Sequence, residues 1–203
     1  MTRKEFSVLS GLLFAIIFSL CTQDIKEAEQ IQQNTLRLHV MANSNSVYDQ
    51  QTKLVVRDQI LKMNDIVTYG YKDFYSAAEH TENNLATIEN RINSYLADNN
   101  VPYKAVCSVE DFIFDTTQYS GFALPKGQYT ALTVRLGKAE GKNWWCVLYP
   151  ALCSTSCGDI ALGESSDFIK TDRITPRFKV VEIYEDIKQK LIQNNTEQYK
   201  NTG

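Results

Sequence analysis

The segment Leu36–Leu61, LRLHVMANSNSVYDQQTKLVVRDQIL, constrains the fold more than any other part of the chain, because a strand, a polar turn and a charged helix follow one another in it without interruption. Leu36, Leu38 and Val40 alternate with Arg37, His39 and Met41, the period of two expected of a half-buried strand. Asn43-Ser44-Asn45-Ser46 breaks that pattern and forces a turn. Ser46 is a good N-cap, and Asp49, three residues on, takes the N3 place of a capping box, so a helix is predicted from Val47. Along it Val56, Ile60, Met63 and Val67 form an apolar stripe. Asp49, Lys53 and Arg57 recur at i, i+4 with Asp58 beside them, which predicts a solvated, mutually paired face; contact with a partner is the alternative. The turn has no metal or phosphate signature.

At the N-terminus Arg3 and Lys4 precede an apolar run, Phe6 to Leu20, which reads as an export signal within residues 1–21. The run is shorter than the ~20 apolar residues of a spanning helix, so a cleaved signal is preferred to a retained membrane anchor. A polar linker over 22–35, a single α+β domain over 36–194 and a polar tail over 195–203 complete the expected organisation. The composition, 43% hydrophobic and 22% charged over 203 residues, suits one substantial core. With 21 basic and 24 acidic residues there is no broad basic face, and nucleic acid is not an expected partner.

Ala78, Leu85, Ile88, Ile92 and Leu96 predict a long helix from Tyr75 to Leu96, which pairs with the first helix on one side of a sheet. Strands are expected at Tyr103–Val109, Asp111–Asp115, Tyr129–Leu136 and Trp144–Tyr149, punctuated by Gly121, Gly127 and the Gly137 to Gly141 stretch. The sheet is therefore antiparallel or mixed, in two layers with its helices. Val181, Tyr184, Ile187 and Leu191 mark a C-terminal amphipathic helix, and Ser154 to Thr175 reads as a mobile loop.

Two blocks carry a family resemblance. The first is Leu36–Asp58; the second is Leu124–Cys153, LPKGQYTALTVRLGKAEGKNWWCVLYPALC, with Arg177-Phe178-Lys179-Val180-Val181-Glu182 following later. In content and order they resemble the stage II sporulation protein R family of endospore-forming bacteria. The chain departs from that pattern at Asn45, where an acid is usual, and at Ala151, where a second proline is usual. The resemblance implies a protein made in the forespore and exported into the space between the two sporulation membranes. There it would activate a membrane-embedded aspartic protease, which processes the precursor of the mother-cell factor sigma-E. It implies a ligand rather than an enzyme, without cofactor or metal. The candidates for contact with a partner are His39, Asn43, Asp49, Gln50, Lys53, Arg57, Asp58, Trp144 and Trp145, although His39 and Asn43 are read first as structural hydrogen-bonding residues and the charges of the helix first as a solvated face.

Read from the residues, catalysis finds little support. His39 has no neighbouring nucleophile signature, Glu110, Asp111 and Asp115 lie along one strand, and Gly137 to Gly141 lacks the lysine and context of a phosphate loop. The competing expectation is a secreted cell-wall hydrolase with a site around His39 and Asn43. Trp144 and Trp145 are adjacent on a strand and so point to opposite faces, of which only one can enter the helix-covered core. Among the five cysteines Cys21 stands apart, and Cys107, Cys146, Cys153 and Cys157 allow three disulfide pairings. Cys146 with Cys153 is preferred, because the two bracket a segment that Pro150 can turn back, which leaves Cys107 with Cys157. A zinc site from Cys146, Cys153, Cys157 and His39 or His80 is disfavoured by its loose spacing.

Overall fold

The computed structural model describes residues 3–63, 67, 71–119, 122–150 and 175–201. Its elements are α1 (Arg3–Gln33), β1 (Leu36–Met41), α2 (Val47–Lys62), α3 (Phe74–Asn83), α4 (Leu85–Asp98), β2 (Ala105–Phe114), β3 (Thr117–Tyr119), β4 (Phe122–Leu124), β5 (Gly127–Leu136), β6 (Asn143–Tyr149) and α5 (Thr175–Asn201). The chain divides into two compact units. One holds Gln33–Ile113 and Gln128–Phe168; the other holds Met1–Gln32, Phe114–Gly127 and Ile169–Gly203.

The larger unit is α+β, with a four-stranded sheet in the order β2-β5-β1-β6. β1 lies parallel to β5, with Leu38 opposite Leu132, and antiparallel to β6, with Val40 opposite Trp144, so the sheet is mixed. The alternation in β1 decides the layers. Leu36, Leu38 and Val40 join Val56 and Ile60 of α2, Ala77 of α3 and Ile88, Ile92 and Leu96 of α4 in one buried cluster. Each of the Leu, Val and Ile side chains contributes about 2 kcal/mol through the surface it removes from water. The expected helix pair on one face is therefore present, although the predicted Tyr75–Leu96 helix is divided at Asn84. Asp73 starts α3 through a capping box with Ser76. At the far end of α4 Asn100 takes a positive φ of 55°. The N–H of Val101 then donates to Leu96 C=O at 2.9 Å and that of Asn100 to Ala97 C=O at 3.0 Å, a Schellman closure that turns the chain back. Asn93 ties the start of β2 to α4 by both donating to and accepting from the Ala105 backbone.

The two strands predicted over Tyr103–Asp115 are one, β2. Its Cys107 carries a free thiol packed against the core, which corrects the expected bond to Cys157. The side chain lies on the inward face of a strand held against α4, where the Cys107 N–H donates to Glu89 at 2.8 Å. Cys146 is disulfide-bonded. Cys153 and Cys157, together with the loop expected over Ser154 to Thr175 and the Ala151 departure, lie outside the described residues.

In the smaller unit α1 is 31 residues long and passes straight through the expected linker to Gln33. At ~1.5 Å per residue it exceeds the ~30 Å of a bilayer core. From Lys4 it is long and apolar enough to cross a membrane by length and composition, a test that an export signal also passes. Beyond Leu20 it packs within its unit. Ala28 is buried, the Gln32 amide donates to Lys126 C=O at 3.0 Å, and Glu29 accepts from the Tyr184 hydroxyl of α5 at 3.2 Å. β3 and β4 form a two-stranded hairpin here, and Lys126 pairs with Asp186 at 2.7 Å. α5 continues to Asn201, so the polar tail expected after Asn194 is helical through that residue.

Candidate functional site

The turn after β1 is held from every side. Ser46 caps α2 as expected, its hydroxyl accepting from the Asp49 N–H at 3.1 Å. The other half of the predicted capping box is replaced: the Ser46 N–H donates to the Ser44 hydroxyl at 3.1 Å, and the Asp49 carboxylate turns elsewhere. It accepts from Ser44 at 2.5 Å, from the Asn43 amide at 2.9 Å and from the Tyr103 hydroxyl at 2.6 Å.

The loop between β5 and β6, residues 137–142, then closes over the turn. Asn43 C=O accepts from the Glu140 N–H and Ala42 C=O from the Gly141 N–H. The side-chain oxygens of Asn43 and Asn45 accept from the N–H groups of Lys138 and Lys142, each at 2.9 Å. Asn45 thus supplies the acceptor oxygen that an acid there would supply. Gly137 and Gly141 make the approach possible: a Cβ on Gly137 would meet the Asn43 amide, and one on Gly141 the Ser44 carbonyl. Gly137 also has a φ of 55°, a conformation natural to glycine. The Gly137 to Gly141 stretch serves as a backbone clasp.

This clasp overturns the solvated face expected on α2. Asp49, Lys53 and Arg57 are buried. Lys53 donates to Gln50 at 2.7 Å and to the Lys142 carbonyl at 2.9 Å, and Gln50 in turn donates to Ser44 C=O. Arg57 pairs with the neighbouring Asp58 at 2.7 Å and lies 4.4 Å from the centre of the Trp144 ring. In place of the expected i, i+4 pairing, Asp49 meets Tyr103 and the turn, Lys53 meets Lys142 C=O, and Arg57 meets its neighbour Asp58 and the Trp144 ring. The hydrogen bonds from Ser44 and Tyr103 hold the Asp49 carboxyl down to about 2, and burial raises the Tyr103 hydroxyl above its ordinary range. Burial, followed by the positive charges of Lys142 and Arg57, lowers Lys53.

His39 stands on the other face of the sheet. Its ring stacks on Trp145 at 3.7 Å and meets Phe112 edge-on at 4.8 Å, with Arg37 nearby on the same strand face over Tyr129 at 5.0 Å. Burial lowers His39 to about 4, against a hydrogen bond that the ring N–H gives to the Asn143 side chain, which favours the proton. The tryptophans divide as strand geometry requires, Trp144 against α2 and Trp145 against His39. The structure therefore gathers Asn43, Asp49, Gln50 and Lys53 at the turn, sets Arg57, Asp58 and Trp144 beside them, and leaves His39 and Trp145 apart. Sequence reasoning missed Tyr103 and Lys142, for which no local periodicity gave a signal; the Gly137 and Gly141 spacing was the one available clue. Among the described residues no group of acidic, histidine or cysteine side chains is arranged to hold a metal.

The two segments that form this clasp are also those a known family shares. A sequence profile described as Stage II sporulation protein R matches residues 32–159, more than half of the chain. The chain belongs to the stage II sporulation protein R family. A relative named Stage II sporulation protein R, from Bacillus subtilis (strain 168), is 30% identical over 152 residues, covering 73% of this chain and 66% of its own length. The chain thus spans about two thirds of that relative. No solved structure matches. In this member of the stage II sporulation protein R family, β1, the turn, α2 and the β5–β6 connection all fall within the matched residues.

Proposed function

We propose that this chain is an exported signalling protein of sporulation. It crosses the forespore membrane and activates a membrane-embedded aspartic protease, which then shortens the sigma-E precursor. The observation that carries this reading is membership of the stage II sporulation protein R family over the whole clasped unit. The N-terminal apolar helix suits export, either as a signal that is removed or as a tether that stays. The turn and α2 suit a ligand because their polar groups are already ordered by internal hydrogen bonds, so little conformational freedom is lost on docking. Docking activates by favouring one arrangement of the protease, through higher affinity for that state than for the resting one.

The hydrolase alternative fares worse on geometry. His39 is buried between two aromatic rings, and Asn43 is committed to Asp49 and Lys138. Neither side chain is offered to a substrate.

The test is co-expression of the full chain, with or without Phe6 to Leu20, beside the protease and the sigma-factor precursor in a non-sporulating host. Precursor shortening that depends on the exported chain supports the reading. An uncut precursor, in a strain where an active family member gives cutting, refutes it.

A further inference from the structure

The clasp uses up the polar side of α2 and leaves a different side unused. Val47 and Tyr48, in the first turn, are 75% and 51% exposed, and Val55, two turns on, is 37% exposed. Tyr48, Gln51 and Val55 form one wall of a surface groove whose other wall is Tyr95, Asn99 and Val101, with a cavity volume of about 230 Å³. The second wall is built by the Schellman closure, which brings Val101 back across the end of α4. The first is anchored by the clasp at the Ser46 cap. Both walls are therefore fixed before anything binds.

The groove's size and lining limit what it receives. Pockets for whole small molecules run from about 300 to 1,000 Å³, so this one suits a single inserted side chain. A second copy of the chain is a poor occupant, since a stable dimer needs about 20–30 residues from each partner and the groove offers a handful. No lining residue is charged. An inserted Lys, Arg, Asp or Glu would lose hydration without gaining a counter-charge, whereas an aromatic or branched aliphatic group would gain apolar and ring contacts from Tyr48, Val55 and Tyr95. Rigid aromatic-walled pockets that take one anchor residue are where interfaces concentrate their binding energy.

We propose that the groove between α2 and α4 is the receptor-contacting surface, and that it takes an uncharged aromatic or branched aliphatic side chain from the membrane-embedded partner. This rests on the ligand reading above and names the surface that reading leaves open.

The full chain is tested in the same co-expression system with Val55→Glu, Tyr48→Ala and, as a control away from the groove, Glu79→Gln. Purified variants are checked for unchanged thermal unfolding. Photoreactive benzoylphenylalanine at position 51 reports contact directly. Tenfold or greater loss of precursor shortening for Val55→Glu, a several-fold loss for Tyr48→Ala, none for Glu79→Gln, and a light-dependent adduct between position 51 and the protease are expected. If the unsubstituted chain drives shortening while Val55→Glu and Tyr48→Ala match it and position 51 gives no adduct, the groove is not the contact surface and the ligand reading stands. If the unsubstituted chain is inactive beside an active family member, the ligand reading falls and the groove proposal falls with it. Should Val55→Glu fail to fold, Tyr48→Ala and the adduct decide.

Discussion

Tyr103 donates its hydroxyl to the buried Asp49 carboxylate at 2.6 Å, across 54 residues of chain. The bond joins the segment entering β2 to the first turn of α2, and Ser44 and Asn43 complete the shell around the same carboxylate. Tyr103→Phe removes one donor to a buried charge and should destabilise the fold by about 2 kcal/mol, since hydrogen bonds to charged groups contribute about 1.5–3 kcal/mol. Chemical unfolding of the full chain in mild detergent measures it; an unchanged midpoint would show that the bond adds nothing.

The same carboxylate sets an acid limit. Its value falls from 3.8 to about 2 in the folded state, chiefly through the Ser44 and Tyr103 bonds. The unfolded chain therefore takes up the proton first as pH drops. Stability from Asp49 is complete above about pH 4 and lost as pH falls towards 2, by roughly 2 kcal/mol. Asp49→Asn should unfold more easily at neutral pH and lose that part of the acid slope.

His39 acts over a higher window. Burial brings it from 6.5 to about 4, so it stays neutral in the folded state while an unfolded chain protonates it. Stability is intact above about pH 6.5 and declines as pH falls to 4, by roughly 3 kcal/mol in all. Unfolding of His39→Gln should show a flatter profile between pH 6.5 and 4, at the cost of the stacking on Trp145. An unaltered profile would contradict the burial argument.

Gly141→Ala places a Cβ against the Ser44 carbonyl, a backbone atom that cannot swing aside. The turn or the β5–β6 loop must shift, and overpacking of this kind costs about 1–3 kcal/mol. Hydrogen exchange should quicken at the Lys138, Gly141 and Lys142 amides, which donate to the turn, and remain slow in α4.

Cys107 is pushed up to about 12, by burial and then by the nearby Glu89 carboxylate. Its thiol should resist alkylation at pH 8 until denaturant is added, since the thiolate is the reacting form. Labelling at the native rate of an exposed cysteine would place Cys107 outside the core.

Local features were legible from the residues alone. The Ser46 cap and the stripe through Val56 and Ile60 reappear, because each arises from contacts a few residues apart and from a periodicity that the backbone enforces; β1 keeps its two alternating faces, but Arg37 and His39 are buried too, so the strand is not the half-buried one expected. The helix pair over one sheet face followed for the same reason. The opposite sides taken by Trp144 and Trp145 were fixed by the pleat.

What lay beyond the sequence was the pairing of polar groups. Asp49, Lys53 and Arg57 carry the spacing of a solvated helix face, yet a loop some ninety positions away covers them and supplies Lys142 C=O, and Trp144 supplies its ring. Cys107 likewise became a core residue because of the side of β2 that meets α4. The sequence by itself determined where β1, the turn and α2 begin and which stripes are apolar. Only the tertiary structure decided which charges are buried and which groove stays open, because desolvation and hydrogen bonding depend on neighbours brought together in space, which no periodicity along the chain encodes.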